Sequence, residues 1–95
     1  MSSINVIITF NAKPEHAGDL AMLLTEAKHS LPTVPGCNSA RLFATIDGHT
    51  FTMVEDWDSA GAHRAHLERV VAAGGWDTIA GLLAQPPVSR YYAEH

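Results

Sequence analysis

The dipeptide Asp47-Gly48, set between two stretches of alternating side chains, constrains this chain more than any other feature. A two-residue type I′ turn needs positive φ at both central positions, and Asp-Gly is one of the few pairs that accept it. Before it, Cys37 to Ile46 reads as a strand with Cys37, Arg41 and Phe43 on one side and Ala40, Leu42, Ala44 and Ile46 on the other. After it, Thr50 to Trp57 alternates Phe51, Met53, Glu55 and Trp57 against Thr52, Val54 and Asp56. A period of two marks a half-buried strand. The two stretches are expected to pair antiparallel, and the rest of the chain must be built around that hairpin.

What flanks the hairpin narrows the fold further. Ile4 to Phe10 alternates Ile4, Val6, Ile8 and Phe10 against Asn5, Ile7 and Thr9, which predicts a first strand. Pro14 and Glu15 suit the opening turn of a helix. From there Ala17, Leu20, Leu24, Ala27 and Leu31 recur every three or four residues, until Leu31-Pro32-Thr33-Val34-Pro35-Gly36 ends the helix. Beyond the hairpin, Asp58 and Ser59 offer side-chain oxygens to cap a helix from about Ser59 to Val71, which stops at Ala73-Gly74-Gly75. A shorter helix carries Trp76, Ile79, Ala80 and Leu83, Gln85-Pro86-Pro87 ends it, and Val88 to Tyr92 forms a last strand with Pro87 at its start or edge. The order β-α-β-β-α-(α)-β predicts an α+β chain of the ferredoxin-like, split βαβ kind. Residues 1–95 show no repeat or linker and read as one domain.

Composition bears on partners. A chain of 95 residues buries only about 60–65% of its unfolded surface, and partner subunits are a common remedy. Helices cover one face of the sheet in this topology, yet Ile7, Phe43 and Val54 point to the other. So large an apolar patch predicts a homodimer through the open sheet face, about a two-fold axis. The net charge of −4 and six scattered Lys and Arg residues exclude a nucleic-acid surface, which clusters such residues. No stretch approaches the ~20 apolar residues that span a bilayer. Without a secretory leader, and with Cys37 as the only cysteine, the expected compartment is the reducing cytoplasm. Cys37 reads as a small buried hydrophobe.

Chemistry concentrates between Phe51 and Leu67. Glu55 and Trp57 leave one side of a strand, in line with Phe51 and Met53, and His63 and His66 follow on the next helix, which can fold back over the sheet. Trp57 is either a core residue or a pocket wall. Glu55 either orients a ligand or pairs with an arginine. His66 is either a base or a polar residue at the helix–sheet border. His63 and His66 lack a carboxylate or cysteine at ligating spacing on their helix, so no metal site is expected. His16, His29 and His49 are expected in solvent. Trp76 is a core anchor or a pocket lid. Tyr91 and Tyr92 alternate faces, one toward a dimer contact and the other toward the cavity, with Tyr92 taken as the cavity residue.

Pro35-Gly36-Cys37 before the second strand, the Asp47-Gly48 hairpin, Glu55-Asp56-Trp57-Asp58-Ser59 running into Ala62 and His66, and Pro86-Pro87 before the last strand together resemble the antibiotic biosynthesis monooxygenase domain of the dimeric α+β barrel superfamily. The resemblance covers nearly the whole chain. It implies two ferredoxin-like protomers whose sheets pack into a barrel, with helices outside and a cavity in each protomer between sheet and helices. It implies oxidation of a small electron-rich aromatic, a phenol or quinol of polyketide type, by O2 with no cofactor. His66 is then the base, Trp57 stacks on the substrate, Glu55, His63, Phe51, Met53, Trp76 and Tyr92 surround it, and Arg41 or Arg90 steadies the developing anion. Relatives of this kind also include non-catalytic, stress-related or small-molecule-binding barrels, and haem-binding or haem-degrading proteins in which His66 or His63 would be the axial ligand. The haem-degrading branch places an asparagine inside the first strand, whereas here the centre of that strand is Ile7-Ile8.

Overall fold

The alternating and helical-period stretches of the sequence become seven elements in the computed structural model, which describes residues 3–95. They are β1 (Ile4–Asn11), α1 (Ala17–Ser30), β2 (Cys37–Ala44), β3 (Thr50–Trp57), α2 (Ala60–Ala72), α3 (Gly75–Ala80) and β4 (Val88–Tyr92). Short 3-10 turns at Pro14–His16 and Leu31–Thr33 bracket α1, each with a proline in its first turn. The four strands form one sheet in the order β2-β3-β1-β4, every neighbouring pair antiparallel. β3 thus lies between the two strands that α1 connects, which is the split βαβ arrangement. The sheet is open, with β2 and β4 at its edges.

The register sets the core. Across β1 and β3, Val6 faces Glu55, Ile8 faces Met53 and Phe10 faces Phe51. These side chains point to the helices, where Leu20 and Leu24 of α1 and the following Leu31 meet them, all nearly excluded from water. Ser59 caps α2 by accepting the Ala62 amide at 3.1 Å. Gly36 stands where loop, β3 and α2 converge. Its φ is +90°, and a Cβ there would lie 2.7 Å from the Ala62 Cβ. Its carbonyl accepts the Asp58 amide at 2.8 Å.

Two local expectations are corrected. The hairpin is not a two-residue type I′ turn: Gly48 has φ +76°, but no non-glycine among the described residues has positive φ. Asp47 instead closes a wider loop with its carboxylate, which accepts from the Thr45 hydroxyl at 2.6 Å and the His49 amide at 3.0 Å. β2 accordingly ends at Ala44, and Ile46 is fully exposed in the loop. Nor do Cys37, Arg41 and Phe43 share a face. A bulge between Cys37 and Ser39 shifts the register, so Cys37 pairs with Trp57 on the helix side, while Arg41 and Phe43 pair with Val54 and Thr52 on the open side. Asn38, the extra residue, turns its amide outward to bridge the Asp56 and Asp58 carboxylates at 2.9 and 3.0 Å. No helix among the described residues is long and apolar enough to cross a membrane.

Candidate functional site

The alternation of β3 brings Met53, Glu55 and Trp57 to the helix-covered side, and α2 lays His63 and His66 over them. Glu55 sits between Val6 of β1 and Ala40 of β2 and is only 4% exposed. A carboxylate so placed needs a partner. The Trp57 indole supplies one, its Nε1–H donating to Glu55 Oε1 at 2.8 Å. His63, 2% exposed, meets the hydroxyl of Tyr91 on β4 through Nδ1 at 2.8 Å. Its Nε2 lies 3.9 Å from Glu55 Oε1, too far for a hydrogen bond, and has no partner among the described residues. The His63 ring stands edge-on to Trp57 and to Tyr91, with centroids 5.3 and 5.4 Å away. His66 tilts over Trp57 at 5.4 Å.

These groups adjoin a cavity of about 250 Å³ between the sheet and the helices. Its walls are apolar, among them Ile8, Phe10, Leu24, Met53, Trp76 and Ile79. Besides the indole of Trp76, the polar side chains on them are Ser30, Glu55, His63 and His66, with no lysine or arginine among the described lining residues. The Ser30 hydroxyl is engaged by the Ala27 carbonyl. Glu55, His63 and His66 are therefore the titratable groups on an otherwise largely apolar wall. Burial raises the Glu55 pKa, opposed by the indole hydrogen bond. Burial lowers the pKa of His63, helped by the nearby charges of His66 and Arg64, and lowers that of His66, helped by Arg69. All three shifts favour neutral forms.

The expected site residues separate cleanly in space. Glu55, His63, His66, Met53 and Trp76 line the cavity. Trp57 is wholly buried behind that wall and touches the chamber only through Glu55 and the histidines. Phe51 is a core residue beside Phe10 of β1. Arg41 lies on the opposite face of the sheet, its guanidinium 5.0 Å above the Phe43 ring. Tyr92 also lies on that face, opposite Asn5, whereas Tyr91, opposite Val6, reaches the site. The alternation shows that the two tyrosines diverge, but only the pairing of β4 with β1 says which faces the helices. Among the described residues there is no group of three His, Cys, Asp or Glu side chains arranged to hold a metal ion. The arrangement can hold a largely apolar molecule beside a carboxyl and two imidazoles.

Comparison with known proteins agrees with this architecture. The sequence model of the family described as antibiotic biosynthesis monooxygenase matches residues 3–71. Among proteins of curated function none matches. Rv0793 from Mycobacterium tuberculosis superposes with a TM-score of 0.86 at 23% identity, over 99% of this chain and 96% of that one. A conserved protein from Methanosarcina mazei Go1 gives 0.86 at 18% identity, over 100% and 95%. A monooxygenase from the gene ActVA-Orf6 of Streptomyces coelicolor, solved in complex with the ligand nanaomycin D, gives 0.78 at 22% identity, over 99% and 88%. At these identities the structural likeness is one of fold.

Proposed function

The chain belongs to the antibiotic biosynthesis monooxygenase family, and from that premise we propose that it oxidises a small electron-rich aromatic, a phenol or quinol, with O2 and no cofactor. The observation that carries the reading is the cavity of about 250 Å³ whose largely apolar wall includes Glu55 and His63, with the unpartnered His63 Nε2 buried just behind its surface beside Glu55. At interior packing density it holds about 185 Å³ of ligand, which suits one or two fused rings.

The chemistry follows from these groups. A phenol in the cavity sets its hydroxyl beside Glu55 and His63. Glu55 takes the proton, and the phenolate oxygen accepts a hydrogen bond from His63. Burial raises the proton affinity of Glu55, closer to that of a phenol, which is what a general base requires. Trp57 is a positioning residue that holds the Glu55 oxygen by its indole N–H. Apolar walls offer the phenolate few hydrogen bonds and leave it a strong electron donor. One electron passes to O2, the two radicals join at a ring carbon, and the hydroperoxide loses water to give a quinone. Phenol and O2 balance quinone and water, so no external reductant enters. His66 lies on the same wall but is less buried than Glu55 and His63, so we assign the base to Glu55 and give His66 a role in shaping the pocket beside Trp57.

We also propose that a second copy covers the open sheet face. Phe43 and Tyr92 lie there nearly half exposed, beside Ile7 and Val54. The unpaired Cys37 suits a reducing compartment, and we place the protein in the cytoplasm.

Oxygen consumption against a panel of phenols and quinols tests the reading. Uptake above the spontaneous rate, with quinone formed and no flavin or metal added, is expected. No uptake, with a panel member still raising the melting temperature, would replace it with a small-molecule-binding protein that uses the same cavity.

A further inference from the structure

We infer that Tyr91 fixes the tautomer of His63, so that His63 Nε2–H and Glu55 Oε1 form a donor–acceptor pair that selects an uncharged hydroxyl group in the cavity. The inference rests on the proposed function only in taking this cavity as the substrate site.

A neutral imidazole carries one N–H, and the partner of one nitrogen decides where it sits. The Tyr91 hydroxyl, 2.8 Å from Nδ1, can donate or accept. Were Nδ1 to carry the hydrogen, the Nε2 lone pair would face Glu55 Oε1 at 3.9 Å. That oxygen already accepts from Trp57, and it is an acceptor toward His63 when the carboxyl is ionised or carries its proton on Oε2. Two acceptors would then face each other in apolar surroundings, where the repulsion is least screened. With Tyr91 donating to Nδ1, the hydrogen moves to Nε2 and the conflict disappears. Tyr91 is 43% exposed, so water can satisfy the rest of its hydroxyl.

The pair then has a defined appetite. An oxygen about 2.8 Å from both atoms, an ordinary hydrogen-bond length, spans the 3.9 Å gap as a bent bridge, once a small side-chain shift uncovers the buried Nε2. A hydroxyl accepts from Nε2–H and donates to Oε1. A carbonyl satisfies only the imidazole, an ammonium only the carboxylate. A ligand carboxylate meets Glu55 with no lysine or arginine on the cavity wall to offset it.

Anaerobic calorimetric titration of the full chain with 2-naphthol, 2-methylnaphthalene and 2-naphthoate, each against wild type and Tyr91→Phe, tests this beside nitrogen NMR of His63 in the unliganded protein. Wild type is expected to show the Nε2–H tautomer and to prefer naphthol by roughly tenfold over the other two, the worth of about one buried hydrogen bond. Tyr91→Phe is expected to mix the tautomers and remove most of that preference, with methylnaphthalene affinity unchanged. An Nδ1–H tautomer in wild type, or a preference and tautomer that survive Tyr91→Phe, would overturn the inference. Failure of all three ligands to bind would also remove the subsite, while oxygen uptake with its wider panel would still judge the oxidation.

Discussion

Glu55 and His63 face each other across 3.9 Å without bonding, and burial biases both toward neutrality. Their effects on stability oppose one another. His63 has a folded pKa below the ordinary 6.5, so below that pH the unfolded chain takes up a proton that the folded one refuses, and stability falls as pH drops toward the folded value. Glu55 has a folded pKa above the ordinary 4.5, so it contributes a loss of stability as pH rises from there through the folded value. His63→Gln is therefore expected to flatten the fall in melting temperature on acidification just below pH 6.5, and Glu55→Gln to remove the loss on the alkaline side. Melting curves between pH 4 and 8 check both; unchanged slopes would mean that neither group is perturbed. Trp57→Phe removes the indole hydrogen bond that holds the Glu55 pKa down. The Glu55 carboxyl should titrate at higher pH by carbon NMR, and an unmoved titration would show that the indole does not support it. At this scale Met53, Glu55, His63 and His66 were legible, because alternation on β3 and helical spacing on α2 turn them the same way. The choice of Tyr91 over Tyr92 was not, since it depends on register against β1.

Element boundaries come from local chemistry, and two substitutions test that. Ser59 caps α2 through its hydroxyl, so Ser59→Ala should cost about 1 kcal/mol by denaturant unfolding. Gly36 combines φ +90° with a 2.7 Å approach to Ala62. Gly36→Ala should cost about 1–3 kcal/mol, through backbone strain and displacement of α2. A loss no greater than that of an exposed alanine would show that α2 yields freely there. Strand β3 and the start of α2 were readable because their patterns are uninterrupted. The hairpin type and the faces of β2 were not. Asp47 uses its carboxylate where positive φ was expected, and Asn38 leaves the alternation to bridge Asp56 and Asp58.

For the whole molecule, the open sheet is the main unmet demand. Phe43, Val54, Ile7 and Tyr92 share its uncovered face, and a second copy is the proposed cover. Phe43→Lys with Val54→Lys should give a monomer by sedimentation, with the helix-side cavity intact. A double variant that keeps the wild-type mass would place any interface elsewhere. The sequence by itself determined the element order, the helix-covered face of β3 and hence which carboxylate and imidazoles could meet, because side-chain period and capping are local properties. Tertiary structure alone decided that Trp57 stands behind the cavity, that Arg41 faces away from it, that Tyr91 holds His63, and that His63 Nε2 is left without a partner. Those outcomes depend on strand register, a bulge and the approach of α2 to the sheet, which are fixed only when distant segments pack together.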